Sequence, residues 1–270
     1  MTERRSRQSF LGEQSDQVLL DATIGIVGLC GGGSHIAQQA AHVGVGGFLV
    51  ADFDHVEASN LNRMVGSHPN DAENGILKTA VIERTIKDIK PDARIAKVNG
   101  RWQTGELLFR DCTAIVGCVD SYAARDELER FCRRYLIPYI DVGMDVHEVN
   151  GGFAISGQVI VSLPGAPCMR CMGFLTDERL AEEQRRYGAA GGRPQVIWPN
   201  GVLASAAIGQ LMAILLPWHK DLRPRSMLEY DGNRQTLKES SKLLVLEKIS
   251  CSHFPVQNSL GDPFYSPRLS

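Results

Sequence analysis

The stretch from Ala22 to Asn62, ATIGIVGLCGGGSHIAQQAAHVGVGGFLVADFDHVEASNLN, decides how the rest of the chain is read. Apolar Ile24, Ile26 and Val27 run straight into Gly28, Gly31, Gly32 and Gly33, and a helical pattern extends from Ser34 to about Val43. The pattern is a strand, a tight glycine turn and a helix start. Such a turn cradles phosphate: glycines let the backbone approach the oxygens, and the unpaired amides at the helix head supply donors and the positive end of the dipole. A second strand, Phe48 to Ala51, delivers Asp52 nineteen residues beyond Gly33. A doubly wound fold keeps an acid there for a ribose hydroxyl. Alone, this spacing points to NAD and an oxidoreductase.

The residues beyond Asp52 argue otherwise. The chain continues DFDHVEASNLNR and, past the loop of residues 64–77, GILKTAVIERTIKDI. A hydride-transfer site has no evident use for Asn60 and Arg63 succeeded by Lys78, whereas a site that breaks a nucleoside triphosphate needs cations beside the phosphates. Lys78 opens a helix whose stripe is Val81, Ile82, Thr85, Ile86 and Ile89. A cation at that end does not complement the dipole, so it is either a solvated surface charge or has an anion to hold.

Farther on, Ala93 to Val98 and Ala114 to Val119 read as strands. Asp120 stands at the carboxyl end of the latter, in the same crevice as the glycine turn or as the cap of the next helix. That helix has Ala124, Leu128, Phe131 and Tyr135 on its inner stripe, and the strand Pro138 to Val142 comes next. From Val149 glycine breaks and an alternating Val159, Val161, Leu163 run suggest antiparallel strands. Cys168 and Cys171 have the C-x-x-C spacing that lets two thiolates share one tetrahedral zinc. A charged, then glycine-rich connection, Thr176 to Pro194, leads into an apolar helix with small residues Ala204, Ser205, Ala207 and Gly209. His35 and His42 read as partly buried rings satisfied by backbone groups.

Composition sets bounds. With 270 residues, 43% hydrophobic and 22% charged, the chain can fill one large domain. A formal net charge of -2 and the lack of a long Lys/Arg block weigh against nucleic acid as the main partner. No window approaches 18 uninterrupted apolar residues and the N-terminus has no apolar signal core, so no membrane partner and the cytoplasm are expected. Seven cysteines, with a close pair near the middle, suggest metal ligation or burial more than disulfides.

The glycine turn, DFD, NLNR and isolated lysine together resemble the ATP-dependent activating enzymes of ubiquitin-like proteins, including the ThiF and MoeB type enzymes of bacteria. The resemblance runs from about Arg7 to about Pro263. Within it, SNLNRMVGS, GGRPQVIWPNGVLAS and CSHFP look like the bacterial subgroup that accompanies ubiquitin-like proteins and JAB-type isopeptidases. It implies an α/β fold with a doubly wound, Rossmann-like mixed sheet, an antiparallel C-terminal extension and a zinc site. Residues 1–21 are polar and without a strong pattern and read as a loose arm into the first strand, and the resemblance implies a single adenylation domain over 22–270. Residues 22–148 would be its nucleotide-binding half and 149–270 its zinc-bearing, partner-binding half.

The function implied is ATP-dependent adenylation of the C-terminal carboxylate of a ubiquitin-like or sulfur-carrier protein, with magnesium, in a homodimer. Gly28, Gly31, Gly33, Ser34, Asp52, Asp54 and Asn60 would bind the nucleotide. Arg63, Lys78 and Asp120 would act on the phosphates, and Arg7, of the Arg7-Gln8 pair, would reach the partner's site. Cys30 and Gly32 depart from the family's usual turn. The family closes its zinc site with a second pair near the C-terminus, where this chain offers Cys251 and His253. Members that form a thioester carry a cysteine near the crossover loop, and none lies between Cys171 and Cys251, so the chain is expected to stop at the adenylate or pass the acyl group elsewhere. A transfer-RNA threonylcarbamoyladenosine dehydratase of similar fold is the alternative, and an NAD-dependent oxidoreductase the third reading.

Overall fold

The computed structural model describes residues 3–185, 194–246 and 251–254. The C-terminal tail beyond Phe254 and the glycine-rich part of the long connection, residues 186–193, lie outside the described residues. A helical segment Glu3–Leu11 and helix α1 (Ser15–Asp21) lead into strand β1 (Thr23–Val27). Next come α2 (Gly31–Val43), β2 (Gly47–Ala51), α3 (Pro69–Glu73), α4 (Lys78–Ile89), β3 (Arg94–Val98), α5 (Glu106–Phe109), β4 (Ala114–Gly117), α6 (Tyr122–Arg134) and β5 (Tyr139–Val149). The C-terminal half holds β6 (Gly152–Ser162), α7 (Asp177–Arg185), α8 (Ile197–Leu215), β7 (Met227–Asp231), β8 (Thr236–Glu239) and α9 (Leu243–Leu246).

One eight-stranded sheet joins the strands in the order β3-β2-β1-β4-β5-β6-β7-β8. β3, β2, β1, β4 and β5 pair in parallel, and β6, β7 and β8 add antiparallel strands, which is the mixed sheet expected. β2 and β4 are buried along their whole length, as strands covered on both faces must be. On one face α2, α4 and α8 bury Ile36, Ile82, Leu203 and Leu211 against Ile24, Val50 and Val142. On the other, Trp102, Phe109, Phe131 and Tyr139 form an aromatic core, Trp102 meeting Phe131 edge-on at 5.0 Å. α8 is long and apolar enough to cross a membrane by length and composition alone. Here Leu203, Ala204, Ala207 and Leu211 are core residues.

Several elements differ from the sequence reading, the first being the arm expected over residues 1–21, most of which is taken up by the helical segment Glu3–Leu11 and α1. α2 begins at Gly31, so Gly31, Gly32 and Gly33 form its first turn and the tight turn is residues 28–30. A short helix, α3, interrupts the loop of residues 64–77. Asp71 caps it by accepting from the His68 amide at 2.8 Å and is gripped by the Arg84 fork at 2.9 and 2.7 Å. β5 runs on to Val149, its outer half pairing with β6 through a two-residue turn at Asn150 (φ 49°) and Gly151 (φ 77°), a left-handed pair suited to a hairpin. Finally, α7 occupies the charged connection.

Candidate active site

The order of the sheet reverses between β1 and β4, and at that point the carboxyl ends of parallel strands open a crevice. The chain leaves β1 at Gly28, whose φ of 85° is left-handed. A side chain there would sit 2.4 Å from the Cys118 carbonyl oxygen, one at Gly33 1.9 Å from the Gly28 oxygen, and one at Gly31 2.6 Å from the Asn200 amide nitrogen. These glycines therefore let the turn close against β4 and α8, and the head of α2 faces the crevice as a consequence. The Ser34 hydroxyl donates to the Gly31 carbonyl at 3.0 Å and accepts from the Val65 amide at 3.0 Å, tying the turn to the segment after NLNR.

Asp52, at the end of β2, accepts from the Leu29 amide at 2.7 Å and the Asp54 amide at 2.9 Å. Burial pushes its carboxyl up, against the opposing pull of Lys78. Lys78 heads α4 at 6% exposure, which rules out the solvated surface charge, and its ammonium donates to Asp54 at 2.7 Å. Burial alone would lower its pKa, but the carboxylates of Asp52 and Asp54 hold it above its ordinary value. The anion that Lys78 holds in this structure is Asp54.

Asn60 is buried, and its side-chain oxygen accepts from the Glu57 amide at 3.1 Å, closing the turn that presents Arg63. The Arg63 guanidinium donates to the Ser59 carbonyl at 2.5 Å and the Asn62 side-chain oxygen at 3.0 Å, while among the described residues its buried Nε has no acceptor. The Cys30 thiol lies among these groups. Burial raises its pKa, and the fields of Arg63 and Lys78 pull it back. Asp120 is exposed just beyond β4. The cap of α6 is Ser121, whose hydroxyl accepts from the Ala124 amide at 3.0 Å, so the capping role open to Asp120 belongs to its neighbour.

Some residues fall elsewhere. Arg7 is exposed on the first helical segment. His42 is exposed instead of partly buried. His35 is half-buried against Gly201, and the backbone partner expected for it is missing: among the described residues its buried Nε2 has no hydrogen bond. Sequence reasoning missed Asn200, whose buried amide covers Gly31 and donates to the Val196 carbonyl at 2.8 Å, and Asn62, which links Arg63 to the Gln195 carbonyl at 3.0 Å. A polar residue at the head of an otherwise apolar helix was the one signal available for Asn200.

Away from the crevice, Cys168, Cys171, Cys251 and His253 converge, their ligand atoms all within 4.8 Å of one another. Cys168 Sγ and Cys171 Sγ are 3.7 Å apart, Cys171 Sγ and Cys251 Sγ 3.6 Å, and His253 Nδ1 lies 3.5 and 3.4 Å from the sulfurs of Cys168 and Cys171. Tetrahedral zinc–sulfur bonds of about 2.3 Å would place ligand atoms roughly 3.8 Å apart, so the donor set fits zinc in both chemistry and spacing. Glu129 and Arg133 of α6 hold the loop that carries this site. Glu129 accepts from the Met169 amide at 3.0 Å, and Arg133 donates to the carbonyls of Ala166 and Pro167 at 2.9 and 3.0 Å.

A family model described as the ThiF family matches residues 3–251. Molybdopterin-synthase adenylyltransferase of Escherichia coli (strain K12) is 30% identical over 166 residues, 60% of this chain and 63% of that protein. Ubiquitin-like modifier-activating enzyme 5 of Dictyostelium discoideum is 30% identical over 162 residues, 54% and 40% of the two chains. The transfer-RNA threonylcarbamoyladenosine dehydratase of Escherichia coli (strain K12) is 29% identical over 135 residues, 49% and 50%. The matches thus span 40 to 63% of the lengths of these curated relatives. Among solved structures, E. coli MccB crystallised with ATP superposes with a TM-score of 0.71 at 20% identity, covering 88% of this chain and 71% of that one, a likeness of fold.

Proposed function

Because the chain belongs to the ThiF family, we propose that it is an ATP-dependent adenylyltransferase that activates the C-terminal carboxylate of a ubiquitin-like or sulfur-carrier protein. The observation that carries this reading is the buried Lys78 between Asp52 and Asp54, with Arg63 turned in beside the same glycine turn. Two cations held at the carboxyl edge of the sheet suit a polyphosphate and have no evident part in hydride transfer.

The nucleotide phosphates would lie over the head of α2 and the ribose near Asp52 and Asp54. The partner's carboxylate oxygen would form a bond to the α-phosphorus as the bond to the bridging oxygen breaks, and pyrophosphate would leave with its charge balanced by Lys78 and Arg63. Asp120, an exposed carboxylate at the end of β4, would hold magnesium, which when bound neutralises charge on the phosphates. Asn60 would keep the Arg63 turn closed, and Arg7 would act across a homodimer interface. Zinc in the Cys168, Cys171, Cys251 and His253 set would be structural, and the enzyme would work in the cytoplasm beside ubiquitin-like and isopeptidase partners.

Adenylation without a thioester fits the thiols. Burial pushes Cys112 up to about 12 and raises Cys118 and Cys132 well above the ordinary thiol value, so these three stay protonated near neutral pH. The experiment is mass spectrometry of a candidate ubiquitin-like protein after incubation with the enzyme, ATP and magnesium. A partner mass increased by one AMP supports the reading, and an unmodified partner across the candidates refutes it. The dehydratase relative favours a second reading. A sequence pI of about 6.4 weighs against it, and ATP consumption dependent on modified transfer RNA would establish it.

A further inference from the structure

The head of α6, which Asp120 and Ser121 lead into, has no apolar hold on the sheet. Tyr122 and Ala124 are half-buried, Ala123 is exposed, and the first apolar residue of the helix to reach the core is Leu128. The Glu183 carboxylate accepts from the Tyr122 and Ala123 amides at 2.8 and 2.9 Å, but it comes from α7, none of whose residues is buried, so it does not fix the head against the strands. The tie to the sheet is Arg125. Its amide donates to the Ser121 carbonyl at 3.2 Å, one turn back, while its guanidinium pairs with Asp141 of β5. Both side chains are buried, and Asp141 also accepts from the Tyr139 hydroxyl at 3.1 Å. Burial alone would lower the Arg125 pKa, but Asp141, with smaller help from Asp120, keeps it charged. The strands leave room for this network. A side chain at Gly117 of β4 would fall on the Tyr139 hydroxyl, and one at Gly143 of β5 would lie 2.7 Å from Arg125 Nη2.

Replacing a buried ion pair by apolar residues of similar volume is often neutral or stabilising, and the best-attested use of such a pair is to fix register. A helix can rotate or slide on an apolar seat, whereas a guanidinium held by Asp141 has one seat. Asp120 stands between two anchors. Behind it the Cys118 amide donates to the Val27 carbonyl at 2.7 Å, beside the glycine turn, and ahead of it lies Arg125. Building on the adenylation reading, we propose that Arg125, seated on Asp141, is a positioning residue for Asp120: it sets where the end of β4 and the start of α6 present that carboxylate to the magnesium and phosphates of the nucleotide. The Arg125 guanidinium is committed to Asp141 and packs 5.7 Å from the Phe174 ring centre, so it acts through Asp120 and not on the phosphates themselves.

Calorimetry of α,β-methylene-ATP in magnesium and in EDTA, with thermal melts of the same full-length proteins, tests this. The quantity read is the magnesium enhancement, the ratio of the two affinities. In Arg125→Met/Asp141→Leu, which removes both charges together, Tm should stay within a few degrees of wild type. Its affinity in EDTA should be unchanged and its enhancement should fall about tenfold, the usual scale for a group that orients a metal ligand. Asp120→Asn should lose the enhancement as well, and adding Arg125→Met/Asp141→Leu to it should cost nothing further, because both changes act on one carboxylate. Arg125→Lys keeps the charge without the planar fork, so it should fold and still lose the enhancement several-fold, which keeps the test decisive where the paired variant does not fold. Full enhancement in Arg125→Lys or in a folded Arg125→Met/Asp141→Leu overturns the proposal, and so does a further loss on the Asp120→Asn background. Wild type that binds equally in magnesium and EDTA overturns the metal role of Asp120 and the positioning with it. No binding heat from wild type in either condition refutes the nucleotide site, and with it the adenylation reading itself.

Discussion

Lys78 illustrates what a buried cation needs. At 6% exposure it stays charged because Asp52 and Asp54 face it, and an incoming triphosphate would offer it stronger partners. Lys78→Ala and Arg63→Ala are each expected to lower adenylation by about two to three powers of ten, since each removes a donor aimed at charge that grows in the transition state. Tm should hold within a few degrees. Near-normal turnover in either variant would remove that residue from the proposed role. Asp120→Asn should do comparable damage and raise the magnesium concentration needed for half-maximal rate, because Ser121 already caps α6 and the substitution leaves the helix intact. An unchanged magnesium response would show that Asp120 has no part in metal binding.

At the scale of elements, two anchors outside the crevice make separate predictions. Cys168→Ser and His253→Ala should each abolish stoichiometric zinc in the purified protein and lower Tm together, because a structural metal contributes its binding free energy to folding. Full zinc content in His253→Ala would place the fourth ligand elsewhere. The second anchor is the α3 segment. Hydrogen bonding from Arg84 holds the Asp71 carboxyl below its ordinary value, so its contribution is complete above roughly pH 4 and is lost as pH falls through the lower folded value. Asp71→Asn should therefore cost about 2 kcal/mol at pH 7, and its deficit against wild type should shrink in acid. A deficit independent of pH would contradict the ion pair.

The strand, glycine turn and helix around Gly28 were legible because Ile24, Ile26 and Val27 are apolar on both faces and the stop is abrupt. Lys78 was legible because a cation at a helix head is out of place. By contrast, the outer half of β5, MDVHEV, is only partly covered and lacks a buried face to impose alternation, α3 is five residues long, and α7, DERLAEEQR, has no apolar stripe at all. Elements held by side-chain hydrogen bonds to distant backbone, as α7 is by Glu183, leave no periodic trace.

For the molecule as a whole, the sheet brings residues from β1, β2, α4 and the end of β4 to one crevice, while Cys168, Cys171, Cys251 and His253, which could hold a metal, form a cluster of their own. No cysteine lies between Cys171 and Cys251, so incubation with ATP, magnesium and the acyl partner should give no thiol-labile adduct on this chain in non-reducing gels. Such an adduct, lost on mutating Cys30, Cys112, Cys118 or Cys132, would make it an enzyme that carries its substrate as a thioester. The central claim is that the crevice joins a carboxylate to the α-phosphate of ATP and releases pyrophosphate reversibly. Exchange of labelled pyrophosphate into ATP, measured with magnesium and with or without a candidate ubiquitin-like or sulfur-carrier protein, reads that step directly. The account predicts exchange that requires the partner's intact C-terminus and falls about a hundredfold or more in Lys78→Ala. Absence of exchange with every such partner, or exchange undiminished in Lys78→Ala, would contradict it.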